Sequence, residues 1–456
     1  MSEFSLGELL QEHAGQGYKL YARYSNPVFV RMLKIIGFDR EWARAEGPYL
    51  YDRAGTRFLD WLGGFGMYAV GRNNPTVRRA LAELLELETP SLPQLGLSDL
   101  PGLLAEALCA VAPASTDRVL FTNSGAESIE AAIKLGRTAT GRTRVVANLG
   151  GFHGLTLGAL SINGSPVFRE RFEPLLPGVA LVPFNDLEAL EAELRSEDVA
   201  LFVVEPVQGH GVHLPEPGYL EGAQELCRRY GTLFCVDEVQ TGFGRTGKLF
   251  ALEHWGLEPD LVTTAKSLSG GYVPSGALLL RKKVHEAVFD SLEHGTAHGS
   301  TFAPNDLAMA AGLATLYELD PKGLVDHSAR MGDLLLELTR PLVERYESVK
   351  EVRGLGLLWA IEFAEPASRQ RSWRLLERIQ PGFFSQLVIG PLFSKYRVLT
   401  QVAGHHMNVI KAIPPLVVTD SDIEWFAEAL EQAIQKAERI PRATFGFAAR
   451  AATRVH

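Results

Sequence analysis

Residues 233–247 have the sequence LFCVDEVQTGFGRTG, and residues 261–272 have the sequence LVTTAKSLSGGY. Each segment begins with a short apolar run, which is typical of a buried parallel strand. Asp237 follows the first run, and Lys266 follows the second run 29 residues later. Because the carboxyl ends of parallel strands meet at one edge of a sheet, the pattern predicts that both side chains face the same ligand-binding edge.

A lysine and an aspartate at neighbouring strand ends suit the chemistry of pyridoxal phosphate. The lysine amine can attach to the cofactor aldehyde as a Schiff base, and the aspartate can keep the pyridine nitrogen protonated so that the ring accepts electrons. We therefore interpret Lys266 and Asp237 as the catalytic pair. Alone, the aspartate would more often be a helix cap or a surface residue and the lysine a solvated one, so the interpretation depends on further motifs.

Residues 237–247, DEVQTGFGRTG, and residues 265–268, AKSL, resemble the signature of class III aminotransferases. This family includes ornithine, acetylornithine, 4-aminobutyrate and diamine transaminases, and the resemblance extends from about Tyr49 to Pro415. It implies the α/β fold of the fold-type-I pyridoxal phosphate enzymes. That fold has a large domain with a mostly parallel central sheet and a small α/β domain formed by the N- and C-terminal segments.

The same resemblance suggests three divisions of the chain. We expect residues 1–73 to be an N-terminal segment that belongs to the small domain and to dimer contacts. Residues 74–325 would form the large cofactor-binding domain, and residues 326–456 the C-terminal small domain. From Asn74 onward helical and strand patterns alternate, as in α/β proteins.

Small residues at a predicted helix start form the candidate phosphate site. A strand-like run over residues 118–122 leads into Ser124, Gly125 and Ala126, and a helical pattern follows. The unpaired N–H groups and the dipole of a helix N-terminus favour anions, so we assign these three residues to the cofactor phosphate. The alternative is an ordinary helix start with Ser124 as its cap.

The resemblance also implies residues around the cofactor ring. Phe152 takes the place of an aromatic that stacks on the ring, with His153 beside it. Glu205 belongs to EPVQG, which resembles a family motif whose glutamate approaches the site. Val239 and Gln240 belong to the 237–247 signature, and Gln240 is placed to hydrogen-bond the ring hydroxyl.

One motif implies that the working unit is a homodimer with shared active sites. Residues 298–302, HGSTF, resemble a family motif in which the threonine reaches the cofactor phosphate of the neighbouring subunit. Ser300 and Thr301 are therefore candidate cofactor-binding residues, and Thr301 would act across the subunit interface.

The candidate substrate residues are Phe65, Leu155, His210 and Lys411, and three of them depart from amino-acid-using relatives. Lys411 replaces the arginine of the family's RxxPP motif, His210 replaces a glutamate that holds it, and Leu155 replaces an arginine. Lysine cannot reproduce the two-pronged contact of arginine with an α-carboxylate. We therefore expect a diamine, polyamine, alkylamine or alkyl aldehyde lacking an α-carboxylate, with a keto acid as second substrate in a ping-pong reaction.

Three alternatives remain open from the sequence. An ω-amino-acid aminotransferase of the ornithine or 4-aminobutyrate type would use the same cofactor residues, as would a decarboxylase or an aminomutase of the same fold. Residues 242–247, GFGRTG, also match the GxGxxG pattern of dinucleotide-binding turns, which would suit a nicotinamide dehydrogenase. Phe243 and Arg245 crowd that turn.

Composition excludes several functional classes. The 456 residues are 46% hydrophobic, which allows one large domain with smaller ones, and the net charge of −9 argues against a nucleic-acid surface. Cys109, Cys227 and Cys235 lack CxxC spacing, so we interpret them as reduced core residues and expect no metal. With no secretory signal pattern and no apolar run of eighteen residues, we expect a cytoplasmic protein without a membrane partner.

Overall fold

A computed structural model describes residues 4–92, 96–320, 323–366, 373, 382–403 and 408–439. The α-helices are, in chain order, α1 Leu6–Glu12, α2 Gly17–Tyr24, α3 Pro27–Ile36, α4 Pro75–Glu86, α5 Asp99–Val111, α6 Gly125–Thr140, α7 Leu157–Ser161, α8 Pro166–Arg169, α9 Leu187–Leu194, α10 Tyr219–Tyr230, α11 Lys282–Glu286, α12 Asp306–Leu319, α13 Leu324–Thr339, α14 Leu342–Arg345, α15 Phe383–Ser394 and α16 Asp420–Glu438.

The strands are β1 Trp42–Glu46, β2 Tyr49–Asp52, β3 Arg57–Asp60, β4 Arg118–Thr122, β5 Arg144–Asn148, β6 Val179–Val182, β7 Val199–Val204, β8 Leu233–Asp237, β9 Leu261–Thr264, β10 Gly276–Leu280, β11 Val349–Leu355, β12 Leu358–Phe363, β13 Val398–Leu399, β14 Gln401–Ala403 and β15 Val409–Ala412.

A seven-stranded sheet in the order β4-β10-β9-β8-β7-β5-β6 forms the centre of the fold. Strands β6, β5, β7, β8 and β9 run parallel to one another, and β10 is antiparallel to both of its neighbours, β9 and β4. All residues of β7, β8 and β9 are buried, as expected for a parallel sheet covered on both faces. The predicted fold class, an α/β protein with a mostly parallel central sheet, is confirmed.

The strand ends place the functional segments on one edge of this sheet. Parallel β8 and β9 are neighbours, so Asp237 pairs in register with Thr263, three residues before Lys266. Helix α6 begins one residue after Ser124 and ends at Gly141, whose φ of 68° lies in the left-handed region that favours glycine. The cap residues Ser124 and Gly141 therefore determine where helix α6, whose start carries the candidate phosphate site, begins and ends.

The chain termini form two further sheets beside the central one. One has the order β1-β2-β3-β13, so that Leu59 near the N-terminus pairs in parallel with Val398 near the C-terminus. The other has the order β11-β12-β15-β14. N- and C-terminal segments thus share one sheet, while the expected domain boundaries at residues 73 and 325 stay a prediction.

The second of these sheets corrects one expectation. The pattern of residues 352–363 predicts a single strand with a glycine bend, whereas the structure forms the antiparallel hairpin β11–β12. Gly356 lies in the turn with a φ of 54°. An added Cβ there would lie 2.7 Å from the Arg245 carbonyl oxygen, so the glycine lets the hairpin pack directly on the 237–247 segment.

The helices have two further features. Within the described ranges, none of the helices combines the length and apolar character needed to span a membrane. The N-terminal helices α1 to α3 expose large apolar side chains, among them Leu10, Tyr24, Val28 and Ile35, and Phe4 before α1 is exposed as well.

Candidate active site

Lys266 lies at the first position of a 3-10 helix, Lys266–Ser269, directly after β9. Its φ of 40° is an uncommon conformation for a residue with a side chain, and such strain is characteristic of functional positions. The Ser267 hydroxyl donates to the Gly66 carbonyl oxygen at 2.8 Å, which ties this turn to the glycine-rich segment before α4. Burial lowers the pKa of the Lys266 amine, although the charges of Asp237 and Glu205 act in the opposite direction.

Asp237 accepts hydrogen bonds on both carboxylate oxygens. Oδ1 accepts from the Val239 N–H at 3.0 Å and the Thr263 hydroxyl at 2.9 Å, and Oδ2 lies 2.7 Å from His153 Nδ1. Burial alone would lower the pKa of His153, but the hydrogen bond and charge of Asp237, with the charge of Glu205, raise it. The imidazole therefore faces the carboxylate, and the three hydrogen bonds fix the Asp237 side chain in one orientation.

The predicted phosphate residues lie at the N-terminus of α6. The Ser124 hydroxyl accepts from the Glu127 N–H at 3.2 Å, so Ser124 is the helix cap as well as a site candidate. A Cβ on Gly125 would lie 2.8 Å from Val239 Cγ1, which shows how closely the segment after β8 approaches the helix start. The predicted anion site and the Asp237 loop are therefore adjacent.

A cavity of about 460 Å³ brings most predicted cofactor residues together. Its lining includes both members of the catalytic pair and the predicted phosphate residues. The members are Met67, Asn123, Ser124, Gly125, Ala126, Phe152, His153, Gly154, Asp237, Val239, Ala265, Lys266, Ser269, Gly271, Tyr272, Val273, Pro274 and Ser275.

Glu205 links two loops beside this cavity. Its Oε1 accepts from the Phe152 N–H at 2.9 Å, and its Oε2 accepts from the Gly209 N–H at 2.8 Å. Burial raises the pKa of the Glu205 carboxyl, the charge of His153 lowers it, and the charge of Asp237 raises it. Glu205 thus holds the backbone of the aromatic candidate Phe152.

Lys411, a candidate substrate residue, is only 3% exposed. Its Nζ donates to the Gly209 carbonyl oxygen and to Gln240 Oε1, each at 2.5 Å. Burial, together with the charges of Lys266 and Arg245, lowers the pKa of Lys411 to about 7, although the charge of Glu205 acts in the opposite direction. The amine is therefore engaged inside the protein.

The candidate substrate residue His210 belongs to a row of aromatic contacts that begins at the cavity residue Phe152. Phe152 and Phe168 rings lie 5.3 Å apart, and Phe168 and His210 rings lie 6.2 Å apart, both nearly perpendicular. Phe65 is 55% exposed, and its carbonyl oxygen accepts from Gln240 Nε2 at 3.1 Å. Leu155 follows the cavity residue Gly154 and is 58% exposed.

The 298–302 motif lies beside the predicted phosphate site of its own chain. Ser300 Oγ accepts from Asn123 Nδ2 at 2.7 Å, and Asn123 directly precedes Ser124. Thr301 is exposed on the surface.

The GxGxxG segment does not have the strand–turn–helix structure of a dinucleotide site. Residues 238–250 form turns and lead into a 3-10 helix, Ala251–Trp255, and no α-helix begins there. Phe243 and Arg245 are each 1% exposed, and the Arg245 guanidinium donates to the Leu357 and Pro414 carbonyl oxygens. This turn packs against the small sheet instead of opening towards a ligand.

Comparison with protein families identifies the chain. Residues 38–434 match the family model of Aminotransferase class-III. The chain belongs to the class III aminotransferase family. Its members depend on pyridoxal phosphate, so the predicted family, fold type and cofactor are confirmed.

Individual relatives agree with this assignment. Aminotransferase PigE from a Serratia species is 36% identical over 448 residues, which cover 90% of this chain and 52% of that protein. This chain therefore spans about half the length of that curated relative. An ornithine aminotransferase from Toxoplasma gondii superposes with a TM-score of 0.81 at 28% identity, covering 96% of this chain and 99% of the other.

A second solved structure shows a relative with cofactor. An amine transaminase from an uncultivated Pseudomonas species, in its pyridoxal phosphate-bound form, superposes with a TM-score of 0.76 at 32% identity. The match covers 87% of this chain and 95% of the other.

The cavity of this class III aminotransferase fits the cofactor chemically. A primary amine, a buried carboxylate and the N-terminus of α6 line one space, and these groups suit an aldehyde, a ring nitrogen and a phosphate respectively. The residue-by-residue roles stay predictions.

Sequence reasoning missed several contributors to the site. Thr263 donates to Asp237, and its position opposite Asp237 on the next strand is a signal that could have found it. Asn123 lines the cavity next to the predicted phosphate residues. Phe168 lies in the short helix α8, where the sequence carries no pattern that points to the site.

Proposed function

We propose that this chain transfers an amino group between an amine lacking an α-carboxylate and a keto acid, with pyridoxal phosphate attached to Lys266. The donor class is a diamine, a polyamine or an alkylamine, and the aldehyde is the corresponding product. The observation that carries the proposal is that Lys266 and Asp237 line one cavity with the N-terminus of a helix. Family membership supports it.

Lys266 and Asp237 would have different roles in such a reaction. When bound, the cofactor supplies an aldehyde that takes the amino group and a ring that accepts electrons. Lys266 Nζ would remove and return the proton at the carbon that bears nitrogen, and burial favours its neutral, proton-accepting form. Asp237, oriented by three donors, would hold the ring nitrogen's proton.

The contacts of Lys411 favour a carboxylate-free donor. Its ammonium already donates to two oxygens inside the protein, so an incoming carboxylate would have to compete with those contacts. The nearby aromatic rings of Phe152, Phe168 and His210 suit an aliphatic chain better than a carboxylate.

An ω-amino-acid aminotransferase is the second candidate. The close superposition with the Toxoplasma gondii ornithine aminotransferase favours it. The two candidates differ in their donor and share the same cofactor residues.

A donor screen tests the proposal directly. Purified protein is given pyruvate or 2-oxoglutarate with putrescine, longer diamines, alkylamines, ornithine, 4-aminobutyrate or alanine, and Lys266→Ala is the control. We expect the carboxylate-free amines to turn over fastest and to give one equivalent of aminated keto acid per aldehyde. Preference for ornithine or 4-aminobutyrate would support the second candidate, and a product without the aminated keto acid would indicate a decarboxylase or an aminomutase.

We further propose a homodimer in which Thr301 serves the neighbouring subunit's site. Thr301 is exposed and lies in a segment with the exposed apolar side chains Leu292 and Phe302, which suits a subunit contact. Co-expression of Lys266→Ala with Thr301→Ala tests this. If Thr301 acts across the interface, the mixed dimer contains one intact site and activity returns, whereas no recovery in verified mixed dimers would refute it.

A further inference from the structure

Lys411 joins three parts of the chain through one buried ammonium group. It lies on β15, and its Nζ reaches the Gly209 carbonyl oxygen in the loop after β7 and Gln240 Oε1 in the loop after β8. Both loops carry predicted cofactor residues, Glu205 in the first and Val239 in the second. The small sheet therefore contributes one side chain to the loops that build the site.

This contact determines the orientation of the Gln240 amide. Lys411 Nζ donates to Gln240 Oε1, so the amide oxygen of Gln240 faces Lys411. The Gln240 Nε2 then donates to the Phe65 carbonyl oxygen at 3.1 Å. An amide nitrogen carries two hydrogens, so this orientation leaves a second N–H for a ligand.

Close packing makes this arrangement intolerant of change. An added Cβ on Gly209 would collide with Gln240 Oε1 and would lie 3.0 Å from Glu205 Oε2. Glu205 in turn accepts from the Phe152 N–H, so the contacts extend from Lys411 to the aromatic candidate. The amide therefore has little freedom to rotate while Lys411 holds it.

The geometry points to Lys411 as a positioning residue that acts through Gln240, instead of a direct contact for a substrate carboxylate. By holding Oε1, it presents Gln240 Nε2 as the donor at the cofactor site. The inference rests on the proposed function, since it requires that the cavity binds pyridoxal phosphate, and on the predicted contact of Gln240 with the ring hydroxyl of that cofactor.

The test uses the absorbance of the bound cofactor as a function of pH, which needs no substrate. The proteins are the holoenzyme, Lys411→Met, Gln240→Leu and the double variant, with Lys411→Arg as the variant that keeps a donor. We expect Lys411→Met to shift the pH midpoint in the same direction as Gln240→Leu, by about one pH unit or tenfold in the protonation equilibrium. The double variant should match Gln240→Leu, and Lys411→Arg should remain nearer to the wild type.

Other outcomes overturn the inference. If Lys411→Met keeps the wild-type midpoint while KM for the keto acid alone rises, Lys411 is a substrate contact. Additive shifts in the double variant would mean that Lys411 acts independently of Gln240. If Lys411→Met fails to fold, a wild-type midpoint in both Gln240→Leu and Gln240→Glu refutes the inference.

Cofactor binding by the wild-type protein distinguishes a failure of this inference from a failure of the proposed function. If the wild type binds no pyridoxal phosphate, the proposed function fails. If it binds the cofactor and the variants show no shared shift, only the role of Lys411 fails.

Discussion

Replacing Lys411 with methionine should change how stability depends on pH. Burial lowers the pKa of this amine to about 7 in the folded protein, whereas a lysine in an unfolded chain has a pKa of about 10.4. Between these values the unfolded chain binds more protons at this position than the folded protein does. The free energy of unfolding of the wild type should therefore rise with pH across this window, and the Lys411 contribution should vanish in the variant.

The size of the effect follows from the two pKa values. One pKa unit corresponds to about 1.36 kcal/mol, and the folded-state amine is half protonated near pH 7. From about pH 7 to about pH 9, the unfolding free energy of the wild type should rise by about 2 kcal/mol relative to Lys411→Met.

Urea unfolding of the cofactor-free proteins, followed by tryptophan fluorescence at about pH 7, 8 and 9, measures this difference. Lys282→Met, which replaces an exposed lysine on α11, is the matched control and should follow the wild type. A difference between wild type and Lys411→Met that stays flat or falls as pH rises would refute the reasoning, because it would mean that burial does not penalise the charged amine.

Three further substitutions follow from the packing of the site. His153→Phe removes the hydrogen bond to the buried aspartate and should weaken pyridoxal phosphate binding about tenfold in a fluorescence titration; unchanged affinity would show that the pair is dispensable. Gly209→Ala places a Cβ against Gln240 Oε1, so the absorbance of the bound cofactor should change while the melting temperature stays within a few degrees. Gly356→Ala places a Cβ 2.7 Å from backbone atoms and should lower the unfolding free energy by about 3 kcal/mol. Gly390→Ala, in a helix with open space around it, should be neutral or slightly stabilising. Equal effects of the two substitutions would contradict the packing argument.

Local sequence patterns were sufficient to predict the central residues of the site. The strand boundaries expected at residues 118–122 and 261–264 coincide with those observed, because short apolar runs ended by polar or small residues determine both. Asp237 and Lys266 could be predicted since each directly follows such a run. Their meeting at one edge then follows from parallel pairing of β8 and β9.

The surroundings of the site depended on contacts that no local pattern encodes. Lys411 donates hydrogen bonds to residues 202 and 171 positions away, so no local pattern predicts that its amine is held inside the protein. The β11–β12 hairpin was missed because both strands are largely apolar and only the turn at Gly356 separates them. Tertiary packing decided these features.

The pairing of β3 with β13 has a consequence for the order in which the protein can be completed during synthesis. All strands of the central sheet lie between residues 118 and 280. The complete set of strands in this sheet is therefore synthesised long before residue 398. Leu59 must wait for Val398, more than 300 residues later, before β3 gains its second neighbour. Contacts of such long sequence separation form slowly, and an unpaired strand edge can pair with another chain. The edge strand β3 is thus protected from aggregation much later than the strands of the central sheet.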